Sequence, residues 1–461
     1  MTKTKYLLLL LTIIILLSRI FFLNAGYGSE EDAWGVGLTA KHIAKTGEYE
    51  ASRLPGHPLQ ELFYAAIALN SSVAAMNAVT AFFSLLVCVF FFLILRKLNY
   101  KQCLLATLCL AFTPIVSINS TNSMDYLWAL AFMMMSFYWL LHERYIFAGI
   151  LLGFAVGCRI TSILLFIPFA VYLFSNSRAS VINIFRLGTT TALVSLAMFY
   201  PVINKYGWGF FHYYDQFPYP PVSKVIFKAT IGVWGSIGSI VVFIAMMIII
   251  KNFISERKTD ASGNKLSIAA FVAIILYTGL YLMLPQKSAY FIPLIPFVIL
   301  LAVRYLNHSG FRIFACSIIV SSFLFGINLS DNTRGAEASS MSKDVMLGGQ
   351  TVHLDFLYGP VMDDYLKRKA RINFTEQIVT KTNELTDKSI IIAGWWLNPI
   401  EDKLFGKHNG NIKYVYTIDE ADMMENIDKG FTIYYLPEMD SINDLRYKIS
   451  TTKVLCEPLF K

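Results

Sequence analysis

Three carboxylates in a row, Glu30-Glu31-Asp32, and a fourth at Asp125 stand at the edges of long apolar runs, while Arg159 and Lys287 interrupt such runs elsewhere. Ionised groups beside lipid are costly unless they face a wet cavity or an opposite charge. A carboxylate can take the proton of an attacking hydroxyl, and guanidinium or ammonium groups stabilise phosphate. The set therefore suits transfer of a group from a phosphate to a hydroxyl. Each member also has a plainer reading. Ser29 can cap a helix whose first turn holds the acids, and Asp125 can be another helix-start acid. Arg159 and Lys287 can be anchors whose charged heads reach back to water.

Further candidates surround these. Arg53 and His57 lie in Ser52-Arg53-Leu54-Pro55-Gly56-His57-Pro58-Leu59, and Trp34 follows the acids directly. Residues 204–225 carry Tyr206, Trp208, Phe210, Phe211, His212, Tyr213, Tyr214, Phe217 and Tyr219. Aromatic faces stack on sugars, as Tyr213 would, and they also form membrane-interface belts. His42, His57 and His212 have no metal-ligand spacing. The six cysteines form neither a disulfide framework nor a C-x-x-C pattern.

The elements that position these groups are apolar. Hydrophobic residues make up 56% of the 461, charged residues only 15%, and the mean hydropathy is +0.53. Soluble chains carry roughly 25% charged residues. The composition excludes a soluble protein, a disordered one and a nucleic-acid binder. Runs at 5–23, 72–95, 102–118, 125–141, 145–158, 160–175, 181–203, 226–250, 266–285, 289–303 and 312–328 predict an α-helical polytopic membrane protein with about eleven spans. The first run reads as a retained anchor. The stretch from Ala33 to Lys45 has helical apolar spacing and is expected to lie in the interface as an amphipathic helix.

Charge gives a topology. Residues 1–328 hold 23 basic and 11 acidic side chains, and residues 329–461 hold 16 and 20. Arg96, Lys97, Lys101, Arg144, Arg178, Lys251, Arg257, Lys258, Lys265, Arg304 and Arg312 fall on one side of such a bundle, which predicts a cytoplasmic N-terminus. The long loop 24–71 and most acids then face outward, as does the polar part from 329 to 461. That part reads as a small extracytoplasmic α/β domain with strands over Ser389–Trp396, Asn411–Ile418 and Phe431–Leu436 and helices over Asp419–Lys429 and Ser441–Tyr447. In a bacterial inner membrane the outer face lacks nucleotide sugars, so a donor must arrive through the membrane.

These features, in this order, resemble the GT-C glycosyltransferases, which use polyprenyl-phosphate sugars, such as the protein O-mannosyltransferases and the lipid A aminoarabinose transferase. The similar segments are the acidic motif with Ala33 and its helix ending in Thr46-Gly47-Glu48-Tyr49, the Arg53–Leu59 segment, Asp125 opening a span, Ala148-Gly149-Ile150-Leu151-Leu152-Gly153 followed by Arg159, and Lys287-Ser288-Ala289-Tyr290-Phe291-Ile292-Pro293-Leu294-Ile295-Pro296. The resemblance implies a membrane catalytic domain over 1–328. It implies a general base at Asp32 or Glu31, since the usual order Asp-Glu-Ala is here Glu31-Asp32-Ala33. It further implies donor-phosphate ligands at Arg159, Lys287, Tyr290 and Arg53. Asp125, His57, Trp34 and Tyr213 are left to contact the acceptor or sugar, and Asp125 alternatively to hold a divalent cation. No cofactor is otherwise required.

The expectation is an inverting glycosyltransferase that moves a sugar from undecaprenyl phosphate or a similar lipid to a hydroxyl on a glycan, lipid or protein of the cell envelope. The competing readings are a transporter or flippase for lipid-linked glycans and a glycan polymerase. A transporter predicts helices broken at mid-membrane and inverted repeats, and the charges here cluster at one face instead.

Overall fold

Helix dominates the described part of residues 2–323. The computed structural model describes all residues except 1, 175–177, 211–217, 257–263, 330–338, 348–349, 408–409, 437–455 and 461. Among the described residues, Val73–Lys97, Arg178–Tyr206, Ser236–Glu256, Asn264–Met283 and Ser288–Tyr305 are long and apolar enough to cross a membrane. Tyr126–Leu141, Tyr145–Cys158 and Ile160–Leu173 are shorter apolar helices.

Two of the expected spans are interrupted by non-helical residues. The 102–118 run divides into Cys103–Ala111 and Pro114–Asn119, because Pro114 disfavours helix at the residue before it. The break frees the Ala111 carbonyl, and the buried Arg19 donates to it at 2.5 Å and to Ser117 Oγ at 3.0 Å. In a membrane, a freed backbone group must find such an internal partner. The 226–250 run divides into Val222–Ala229, Ile231–Trp234 and Ser236–Glu256. The last break is Gly235 at φ +72°, a conformation only glycine adopts at low cost.

The Tyr145–Cys158 helix presents Gly149, Gly153 and Gly157 to the Arg178–Tyr206 helix. A Cβ on these glycines would come within 1.8 Å of Thr190, 2.5 Å of Val194 and 2.8 Å of Met198. Small residues at four-residue spacing let two helices touch backbone to backbone. The contact fixes the end of the helix, and Arg159 stands at that end.

Two sheets follow. Gly326–Leu329, Gln350–Asp355 and Ser342–Leu347 form an antiparallel sheet in that spatial order, which the sequence pattern did not reveal. Ile412–Val415, Ser389–Ile392, Thr432–Tyr435 and Glu457–Pro458 form a parallel sheet. Ile390, Ile391 and Ile392 are buried on both faces, as parallel strands covered by helices require. Ile378 and Val379 of the Pro360–Asn383 helix pack on one side, and Met423 of the Glu420–Asp428 helix packs on the other. The strands are shorter than expected: after Ile392 the chain turns at Ala393 and at Gly394, which has φ +51°. The stretch expected as a helix over Ser441–Tyr447 lies outside the described residues.

The Glu31–Thr46 helix does not expose an amphipathic face. Ala33, Trp34, Gly35, Val36, Gly37, Thr39, Ala40 and Ile43 are all buried. The Pro58–Ala68 helix covers part of it and the Leu397–Lys403 helix another part, and Lys41 pairs with Asp402 of the latter at 2.7 Å. The apolar spacing reports packing against protein.

Candidate active site

The carboxylates and cations meet in one cluster. Lys287, just before the Ser288–Leu294 turn, pairs with Asp32 and lies 2.5 Å from Glu30 Oε2. Arg53 has its Nε 3.7 Å from Asp32 Oδ2, and its Nη2 donates to Asp125 Oδ1. Arg159 donates from Nη1 to Asp125 Oδ2 at 2.8 Å. The chain of contacts runs Lys287, Asp32, Arg53, Asp125, Arg159, so positive and negative groups alternate, with Glu30 as a second partner of Lys287.

The capping readings fail on geometry. Glu30 and Asp125 occupy N-cap positions, but neither side chain accepts a capping hydrogen bond. Ser29 Oγ does not cap its helix and donates to Asp364 at 2.6 Å. Asp125 is fully buried, and its carboxylate meets Arg53, His57 and Arg159. Arg159 does not reach away as an anchor. Its guanidinium carbon lies 4.5 Å from the Tyr126 ring centre and 4.8 Å from that of Tyr290, a cation–π arrangement that holds the fork toward Asp125. Tyr290 therefore acts on the cluster through Arg159.

His57 is buried, and its Nδ1–H donates to the Cys158 carbonyl at 2.7 Å, with Asp125 Oδ2 at 3.4 Å. Among the described residues its Nε2 meets no hydrogen-bond partner. Burial pushes the imidazole down to about 3, and Arg53 and Arg159 add to this against the pull of Asp125. A neutral ring with Nδ1 protonated leaves Nε2 as an acceptor.

Asp32 and Glu31 are adjacent but differ in setting. Burial alone would raise Asp32, yet Lys287 and Arg53 hold it well below the usual carboxylate range. Lys287 is lowered by burial but held well above its ordinary value by Glu30 and Asp32. Glu31 points elsewhere and accepts a hydrogen bond from Tyr416 at 3.2 Å, from the loop after the Ile412–Val415 strand. Burial raises Glu31 to about 7, Tyr416 pulls it down and Asp32 pushes it up.

One expected site residue is placed away from the cluster. Trp34 is core: its Nε1–H donates to the Gly28 carbonyl at 3.0 Å and its ring meets Tyr27 edge-on at 5.3 Å. Tyr213 lies outside the described residues. His42 pairs with Glu50 on the surface at 3.3 Å. Among the described residues, no group of three or more His, Cys, Asp or Glu is placed to hold a metal ion.

The structure also adds residues. Glu61 is fully buried and accepts from Tyr49 Oη at 2.6 Å, Ser52 N at 2.8 Å, Ser52 Oγ at 2.7 Å and His57 N at 3.1 Å. It ties together the loop that carries Arg53 and His57. In sequence Glu61 reads as a first-turn helix acid, so no local signal sets it apart.

The fold is that of the GT-C glycosyltransferases. Residues 57–204, less than half of the chain, match the family model of the dolichyl-phosphate-mannose-protein mannosyltransferases. ArnT from Cupriavidus metallidurans in the apo state is similar at TM-score 0.57 and 11% identity, over 96% of this chain and 91% of that one. The same protein bound to undecaprenyl phosphate is similar at TM-score 0.54 and 12% identity, over 98% and 89%. An Archaeoglobus fulgidus oligosaccharyltransferase tethered to an acceptor peptide is similar at TM-score 0.51 and 11% identity, over 86% of this chain and 62% of that one. No protein of curated function matches the chain.

Proposed function

We propose that the protein is a membrane glycosyltransferase that moves a sugar from a polyprenyl-phosphate donor to an acceptor hydroxyl, with inversion, on the outer face of the membrane. The observation that carries this reading is the alternation of Lys287, Asp32, Arg53, Asp125 and Arg159 in one cluster beside the apolar helices. Undecaprenyl phosphate, bound by the Cupriavidus ArnT, is the matching donor carrier.

Lys287, Arg53 and Arg159 receive the phosphate and neutralise the charge that develops as the glycosidic bond breaks. In the structure these cations pair with Asp32 and Asp125. A bound phosphate competes for Lys287 and Arg53, which frees Asp32 and makes it more basic. Asp32 then takes the proton of the acceptor hydroxyl as that oxygen attacks the anomeric carbon. Glu31 is the second candidate base, but its hydrogen bond to Tyr416 turns it away from the phosphate ligands. His57 Nε2 accepts from a substrate hydroxyl. Both Asp125 oxygens are engaged by guanidinium groups, so its role is to orient Arg53 and Arg159; a divalent cation there would have to displace them.

The test is binding of undecaprenyl phosphate by the purified protein in nanodiscs, with mass analysis of envelope glycans and glycolipids with and without the gene. No binding together with unchanged glycans would overturn the proposal.

A further inference from the structure

The two carboxylates at the centre of the cluster come from separate loops, and both loops are fastened to a side chain far away in the sequence. Arg368 lies on the Pro360–Asn383 helix and is 1% exposed. Its Nε donates to the Ala25 carbonyl at 3.2 Å, and its Nη2 donates to the Gly26 carbonyl at 2.9 Å. The same guanidinium reaches the other loop, with Nη2 donating to the Thr121 carbonyl at 2.7 Å and Nη1 to Thr121 Oγ1 at 3.1 Å. The first loop leads into Asp32, and the second leads into Asp125.

The neighbours support the same junction. Asp364, one turn earlier on the helix, accepts from Ser29 Oγ and lies 3.8 Å from Arg368 Nη1. From the apolar side, Asn77 donates to the Leu23 and Gly26 carbonyls at 2.9 and 2.8 Å and accepts from Ser123 Oγ at 2.9 Å. The Ser123 N–H donates to the Tyr27 carbonyl at 2.8 Å. The two loops are thus fixed to each other, with Arg368 as the contribution from outside the apolar helices.

We infer that Arg368 is a positioning residue that sets the separation of Asp32 and Asp125, so that one Arg53 side chain serves both and the phosphate ligands stand in register. A planar guanidinium presents five donors in a fixed fork that spans both loops, whereas an ammonium presents three from a single point. The inference rests on the reading of the cluster as a donor-phosphate site. The carboxyl-terminal part of the chain is then a working component of that site.

The experiment uses the full chain in phosphatidylcholine nanodiscs, with undecaprenyl phosphate as the probe. Arg368→Ala is expected to speed amide exchange in 24–30 and 119–124, and to weaken undecaprenyl phosphate binding by about tenfold, as residues coupled to a site without touching its ligand can. Methylguanidinium should restore part of that affinity. Arg368→Lys keeps the charge beside Asp364 and serves where the alanine variant does not fold; it should show the same pattern in milder form. A purely structural role would lower the melting temperature and leave the affinity of the folded protein unchanged. Wild-type affinity in the folded variants, whatever their loop exchange, would overturn the inference. If the unaltered protein fails to bind undecaprenyl phosphate, the reading of the site falls, and the loop exchange still decides whether Arg368 joins the loops.

Discussion

Arg53 reaches across 72 positions of sequence to donate to Asp125, and the carboxylate it meets is fully buried. The pairing gives the first loop a fixed depth. Removing one partner of a buried ion pair strands the other, at a cost of about 3–5 kcal/mol. Asp125→Ala leaves both Arg53 and Arg159 without their shared acceptor. It is expected to lower stability by that order in thermal unfolding, whereas Asp125→Asn keeps the shape and loses less. Both variants should bind undecaprenyl phosphate less tightly, because the guanidinium groups lose the group that aims them.

The neighbours Glu31 and Asp32 separate by test. Asp32 faces Lys287 and Arg53, where a base would meet an acceptor beside the phosphate. Asp32→Asn is expected to cut sugar transfer by about 10²–10⁴-fold, the usual contribution of a general base. Glu31→Gln should cost less than about tenfold by the same comparison. Initial rates of transfer from a lipid-linked sugar measure both, and a reversed ranking would move the base to Glu31.

Much of this cluster is legible in the sequence because ions are rare beside apolar runs. Asp125, Arg159 and Lys287 stand out against a chain with only 15% charged residues, and their loops fall on one side of a simple topology. The same contrast is absent in the polar part of the chain. Arg368 sits in Asp363-Asp364-Tyr365-Leu366-Lys367-Arg368-Lys369, a stretch that reads as a solvated helix face, and only the fold shows that its guanidinium is buried. Trp34 misleads for the opposite reason. An aromatic beside an acidic motif suggests a sugar platform, yet its indole pins the Gly28 turn. The division of the 102–118 run was readable at Pro114, where hydropathy alone conceals the break.

Glu61 predicts a loop defect with a functional signature. Its carboxylate accepts four hydrogen bonds from Tyr49, Ser52 and His57, all within the segment that holds Arg53. Burial raises its proton affinity, and the donors from Ser52 and Tyr49 pull it down. Glu61→Ala leaves buried donors unpaired at about 1–3 kcal/mol each. A lower melting temperature is expected together with weaker undecaprenyl phosphate binding, since Arg53 and His57 lose their fixed frame. Weaker stability with unchanged binding would limit Glu61 to the fold.

The burial of Glu31 beside Tyr416 predicts a stability that depends on pH. Glu31 titrates near 7 when folded, against about 4.3 in an unfolded chain. The folded state therefore holds more protons between those values, and stability falls as pH rises through that window. Asp32, Arg371 and Lys287 also act on Glu31, with Asp32 raising its value and the two cations lowering it. Thermal unfolding at fixed ionic strength should give a higher melting temperature at pH 5 than the trend from pH 8 upward predicts, and Glu31→Gln should flatten that part of the profile. Tyr416→Phe removes the hydrogen bond that lowers Glu31, so the fall in stability should extend to higher pH. An unchanged profile in both variants would mean that Glu31 is not the group that titrates at this junction.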